Sequence, residues 1–118
     1  MISESQSQPR WEREEVVLLV VTYFRSKNKS DEEVLRSHAL VSDILRKRYK
    51  VLNGTKPDDL FRNLNGIILQ SARIRCLDPE TKYFGMQPTN LQKEVFTEYK
   101  NDPERLCAEA YDLVLKYY

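Results

Sequence analysis

Ten side chains between Arg46 and Arg75 have the types and spacing that recognise nucleic acid. Arg46, Lys47, Arg48 and Lys50 form one basic run. Arg62, Asn63, Asn65, Gln70, Arg73 and Arg75 form a second group inside the stretch FRNLNGIILQSARIRCLDP, Phe61 to Pro79. Lysine and arginine neutralise phosphates, arginine also pairs with guanine, and the carboxamides of Asn and Gln match adenine. From Arg46 to Leu77 eight basic residues stand against Asp58 and Asp59, a local charge of +6, while the whole chain carries only +1. The basic part is thus concentrated mid-chain, and the remainder is acidic. Each residue also has a plain structural use. Asn63 and Asn65 can cap a helix, Gly66 can permit close packing as well as close approach to a ligand, and a basic run is commonly a solvated helix end.

Other chemistry is thinly represented. His38 is the single histidine and falls on an apolar stripe, which favours a core or boundary role. A zinc site needs about four N/S ligands in paired spacing; His38, Cys76 and Cys107 offer neither CxxC nor HxxxH. No phosphate-binding glycine loop, dinucleotide fingerprint or nucleophile elbow occurs. Neither cysteine has local sequence that would make it a nucleophile toward His38. The expectation is a non-enzyme with no cofactor, and the two cysteines are small buried hydrophobes in a reducing, cytoplasmic setting. MISESQSQPR lacks the apolar core of a signal peptide, and the longest apolar run, Val16 to Val21, is too short to span a bilayer.

The elements that must position these residues are helical. A chain of 118 residues is one domain by length and buries roughly two-thirds of its unfolded surface, enough to fold without staples. Residues 1–9 read as a polar leader and 10–118 as a single helical domain. A first helix should start near Pro9 to Trp11 and run to about Arg25, with Glu12, Glu14 and Glu15 complementing its dipole. Its valines leave a buried strand open on periodicity, but its length favours a helix. Ser30 and Glu33 form a capping box for a second helix carrying Val34, His38, Val41, Leu45 and Tyr49 on one stripe and Arg46-Lys47-Arg48 in its last turn. Asn53-Gly54 is a turn, and Pro57 opens a short helical or extended piece. Asn63 should cap a third helix from Leu64 to Cys76, closed by Asp78-Pro79. Thr89 or Asn90 starts a fourth through Tyr99, and Asp102-Pro103 opens the last. The expected fold is all-α, a compact bundle of about five helices with a three-helix, helix-turn-helix-like core. In such modules the third helix turns its N-terminal polar side chains toward base edges, which here are Asn63, Asn65 and Gln70. Tyr99, Tyr111, Tyr117 and Tyr118, with Phe96 and Val114, could leave an apolar patch for a protein partner at the C-terminal helix; of these, Phe96 and Tyr111 are expected to fill the core instead.

The stretches W-x-R-E-E-V, S-D-I-L-R, F-R-N-x-N-G-I, L-D-P, E-V-F-x-E-Y and D-P-E-R-L-x-x-x-A occur in an order that resembles the N-terminal head region of McrA-like, HNH-type restriction endonucleases, from Trp11 to Ala110. No single motif is specific; the series is. The resemblance implies a bacterial restriction or anti-phage setting, in which such a head precedes modification-reading and nuclease domains and binds DNA or a partner. It does not carry nuclease activity over, because an HNH site needs at least two histidines. Leu64 stands where the pattern has proline, and Gln70-Ser71 where it has lysine-leucine, which puts a DNA contact by that lysine in doubt. The leading expectation is therefore a non-catalytic module that binds duplex DNA, plain or modified, through Arg46 to Arg75. The alternative is a protein-interaction domain that docks a nuclease, another defence partner or a second copy of itself. A piece of a longer endonuclease is a further reading.

Overall fold

Six successive aliphatic side chains, Val16 to Val21, make the first helix apolar on every side, and a helix of that kind must be surrounded. The computed structural model, which describes residues 8–118, does this. The helices are α1 (Arg13–Ser26), α2 (Asp31–Asn53), α3 (Leu64–Arg75), α4 (Asn90–Asn101) and α5 (Pro103–Tyr117). Helix α1 packs against all four others, and Val16 to Val21 are buried without exception. Ile44, Leu45, Ile67, Ile74, Val95 and Leu106 close the core around it. No strand occurs among the described residues, so the helical alternative holds for the valine run. The leader expected over 1–9 lies, through residue 7, outside the described residues.

The helix ends follow local chemistry. Helix α1 starts later than Pro9 to Trp11, because Glu12 is the N-cap and its backbone N–H donates to Glu15 Oε1 at 2.9 Å. Ser30 Oγ accepts from the Glu33 N–H at 3.2 Å and starts α2 as expected. Helix α2 then runs past the basic residues to Asn53 and stops at Gly54, whose φ of 74° suits glycine. Arg46-Lys47-Arg48 is therefore mid-helix rather than a last turn. Asn63 caps α3, Thr89 caps α4 and Asp102 caps α5, each accepting from a backbone N–H three residues on. Helices α1, α2 and α3 pack on one another. The α2–α3 connection, Gly54 to Asn63, is longer than the three-to-four-residue turn of a helix-turn-helix. No helix among the described residues is long and apolar enough to cross a membrane.

Candidate functional site

The second basic group begins inside the protein. Arg62 keeps only 5% of its surface. Its Nε and NH2 groups donate to the two oxygens of Glu15 at 2.8 and 2.9 Å, and NH2 also donates to the Arg10 carbonyl. The guanidinium lies 4.5 Å from the Trp11 ring centroid and 4.4 Å from that of Phe61. A bidentate fork on a carboxylate, sandwiched between aromatics, satisfies a buried charge well. The backbone of Arg62 is left-handed, φ 46°, and its carbonyl accepts from Ser42 Oγ at 2.6 Å. In place of the expected DNA contact, Arg62 joins α1, α2 and the start of α3.

Most of the other expected contacts are engaged as well. Arg46 donates to the carbonyls of Asp58 and Phe61. Arg48 pairs with Glu12 at 2.7 Å and Glu14 at 3.1 Å. The Asn63 side chain is the α3 cap, accepting from Gly66 N–H at 2.8 Å. Gln70 accepts from the buried Gln92 of α4 at 2.7 Å, and Arg73 donates to the Gln87 carbonyl at 3.1 Å. Arg75 is exposed, its guanidinium 4.5 Å over the Tyr83 ring. Lys47, also exposed, lies 5.3 Å over the Tyr118 ring. Lys50 and Asn65 face solvent. Helix α3 turns Ile68 and Leu69 outward beside Asn65, so its open face is more apolar than a base-reading helix requires. Gly66 meets neither a packed helix nor open space: a Cβ there would stand 3.2 Å from Asn63 Oδ1.

The exposed cations are also separated. Ser42 bonds to Arg62 just before α3, while His38 lines a cleft with Ser71 and Arg75 near the end of α3. The two helices thus run antiparallel. Twelve residues of α2 separate His38 from Lys50, about 18 Å of helix rise. Arg75 and Lys50 therefore belong to opposite ends of the α2–α3 pair.

A second polar junction ties down the α3–α4 loop. Asp78, 2% exposed, accepts from Tyr23 OH at 2.7 Å, Lys27 Nζ at 2.6 Å and the Glu80 N–H at 3.0 Å. Burial pushes the Asp78 carboxyl up, but these hydrogen bonds outweigh it and hold it below the usual range. The Tyr23 hydroxyl is pushed up by burial and by its bond to Asp78. Lys27 is raised by its bonds to Asp78 and Glu80. His38, buried and desolvated, is held below the ordinary imidazole value. Cys76 and Cys107 are half-buried free thiols. Among the described residues no three His, Cys, Asp or Glu side chains cluster to hold a metal ion.

The apolar C-terminal patch was legible in the sequence only in part; the groove beside it, on the α2–α5 side, and the outward turn of Tyr111 were missed. A groove of about 440 Å³ runs there between α1, α2 and Val114 of α5, with Leu18, Leu40, Val41 and Ile44 as its apolar part and Arg25, Lys29, Glu33 and Arg36 as its charged part. On α5, the next ridge carries Tyr111, 62% exposed, and Leu115, 66% exposed. Tyr111 thus points outward instead of filling the core, whereas Phe96 is buried as expected. The signal was the spacing Tyr111, Leu115, Tyr118, an outward i, i+4, i+7 stripe next to the inward Leu106, Ala110, Leu113, Tyr117. No protein-family model, curated protein or solved structure matches the chain.

Proposed function

We propose that this chain is a non-catalytic protein-docking module whose interface is the α2–α5 face, and that its occupant is a second copy of the same chain. The observation that carries this reading is a groove and a ridge side by side: Leu40, Val41 and Ile44 in one, Tyr111 and Leu115 on the other. In a twofold pair each copy offers both parts, so the face is self-complementary. Exposed aliphatic and aromatic side chains gathered on one face mark protein contacts, whereas scattered ones do not. A net charge of +1 leaves little repulsion between copies. The resemblance to restriction-endonuclease head regions supports a setting in a bacterial restriction or anti-phage system, with a nuclease as the wider partner. Sedimentation from low to high micromolar concentration tests the pairing. A mass rising toward two chains, abolished by Leu115→Glu, is expected; a strict monomer throughout overturns it.

The second reading is the duplex-DNA module. Lys50 and Arg75 remain solvent-facing and without an ion-pair partner among the described residues, and Lys47 is solvent-facing with one long bond, 3.4 Å, to the Tyr118 backbone oxygen; these support it. Fluorescence anisotropy of a labelled duplex, with and without methylated cytosine, at two salt concentrations is its test. Phosphate contacts predict affinity that falls steeply with salt, and each removed lysine lowers that slope by about one. Absence of binding at low salt overturns this reading.

A further inference from the structure

We infer that the polar cleft between the α1–α2 loop, α2 and the end of α3 is a binding site for a small tetrahedral oxyanion of the phosphate type. This cleft adjoins the docking groove, with Ser26 and Lys29 on the wall between them, but the inference does not depend on the docking reading. The cleft has a volume of about 260 Å³, below the roughly 300–1,000 Å³ of sites for larger organic ligands. Four side chains with donor groups line it from three elements: Lys29 on the loop, His38 on α2, and Ser71 and Arg75 on α3.

These donors are not engaged elsewhere. His38 and Ser71 each keep only 8% of their surface. Neither side chain is hydrogen-bonded to another group among the described residues, and each keeps some contact with solvent. The surface that they retain is therefore the surface facing the cleft. Two polar side chains that are more than nine-tenths buried and open on one cavity leave their remaining hydrogen-bonding capacity for what the cavity holds, water or a ligand. Arg75 is held by the face of its guanidinium over Tyr83, which leaves its N–H edges free. Lys29 has no ion-pair partner among the described residues, although Asp31 stands on the same wall. The other charges there are settled: Lys27 is held by Asp78 and Glu80, and Tyr23 donates to Asp78.

The sign of the ligand follows. The Lys27–Asp78–Glu80 group carries one excess negative charge, already engaged in its own hydrogen bonds. The groups still free to bind are two cations, a hydroxyl and an imidazole against Asp31, and these favour an anion. Donors arriving from three directions suit a tetrahedral anion; a planar carboxylate would be met by the arginine fork alone. His38 then acts as a built-in reporter. Burial holds its pKa below the ordinary imidazole value, and an anion beside it favours the imidazolium.

His38 is the only histidine, so its ring signals in a nuclear magnetic resonance spectrum are unambiguous. Inorganic phosphate is titrated into the full chain at constant ionic strength, with chloride as the balancing salt. A saturable shift of the His38 signals and an upward move of its titration midpoint are expected. Lys29→Gln and Arg75→Gln, both at exposed positions, should each weaken binding by about tenfold or more. A nucleoside 5′-monophosphate in a second titration separates the sources. Equal affinity means that the phosphate group alone is recognised, and tighter binding means that the ester is the ligand. Shifts that never saturate, or that survive intact in both variants, mean an adventitious ion only and overturn the site. Two variants on different elements guard against a loss caused by the Arg75–Tyr83 stack alone.

Discussion

The molecule hides an arginine and shows a leucine. Arg62 keeps 5% of its surface and Leu115 keeps 66%. Around Arg62 the fold supplies both oxygens of Glu15, a backbone carbonyl and two aromatic faces. Around Leu115 the apolar surface is left without cover. The contrast teaches which region has been completed by the chain itself and which has not. A buried charge is tolerated only when the fold supplies all its partners, so the Arg62 junction is about holding helices together. An apolar ridge beside a groove with aliphatic and charged walls is left uncovered, so it is the region open to another molecule.

The largest effect should come from breaking the completed region. Arg62→Ala leaves the Glu15 carboxylate buried and uncompensated, and the expected loss is about 3–5 kcal/mol, read by urea denaturation. Replacing both partners with apolar residues, Arg62→Met with Glu15→Leu, should recover much of it, because the penalty lies in the orphaned charge. If Arg62→Ala melts the protein no earlier but abolishes duplex binding, the comparison is wrong and Arg62 serves DNA.

Asp78 comes next. Asp78→Asn removes the charge that faces Lys27 and should cost about 1–3 kcal/mol. The sign with pH follows from the direction of its shift. Its folded-state pKa is held below the ordinary value of 3.8, so the stabilisation is complete above that value. It is lost as pH falls from there through the lower folded-state pKa. His38, also shifted downward, adds a loss of its own as pH drops below 6.5. Denaturation of the variant across acidic pH should therefore show a flatter slope than the native chain below about pH 4. An unchanged slope would mean that the junction is slack.

The outer face should respond in the opposite sense. Leu115→Glu and Leu40→Glu sit at exposed positions and should change the stability of a single chain by no more than about 0.5 kcal/mol. Both should abolish the concentration-dependent mass. A large destabilisation would make the ridge part of the core and remove the contrast with Arg62.

Much of the fold was legible because the helix ends are written locally. Ser30 with Glu33, Asn63, Thr89 and Asp102-Pro103 each announce a start, and each starts a helix. The central position of α1 was implied by valines that leave no polar face. The site was far less legible. Arg62 looks like any arginine in the sequence, because its partner Glu15 is 47 residues away, and no local pattern reports such a pairing. The same holds for Gln70 with Gln92 and for Tyr23 with Asp78. Several motifs that carry the resemblance, W-x-R-E-E-V, F-R-N and L-D-P, meet in these two junctions. They describe how the bundle is fastened. Tyr111 was misplaced because two interleaved stripes on α5 are both apolar, and only packing decides which one faces in.

The smallest effect is the most discriminating, and it concerns Gly66. A glycine inside a helix costs about 1 kcal/mol relative to alanine, so a purely helical argument makes Gly66→Ala stabilising. The new Cβ, however, would stand 3.2 Å from Asn63 Oδ1, the atom that caps α3 by accepting from the Gly66 N–H. The carboxamide must give way by a few tenths of an ångström, weakening a cap worth about 1 kcal/mol. The two terms oppose each other, and Gly66→Ala alone should change stability by less than about 0.5 kcal/mol. In an Asn63→Ala background the cap is already gone, and the same substitution should yield its full gain of about 1 kcal/mol. A double-mutant cycle by urea denaturation measures that difference. Strict additivity would mean that Gly66 and Asn63 are independent. Unchanged stability together with lost duplex binding would return Gly66, and α3 with it, to the side of the molecule that meets DNA.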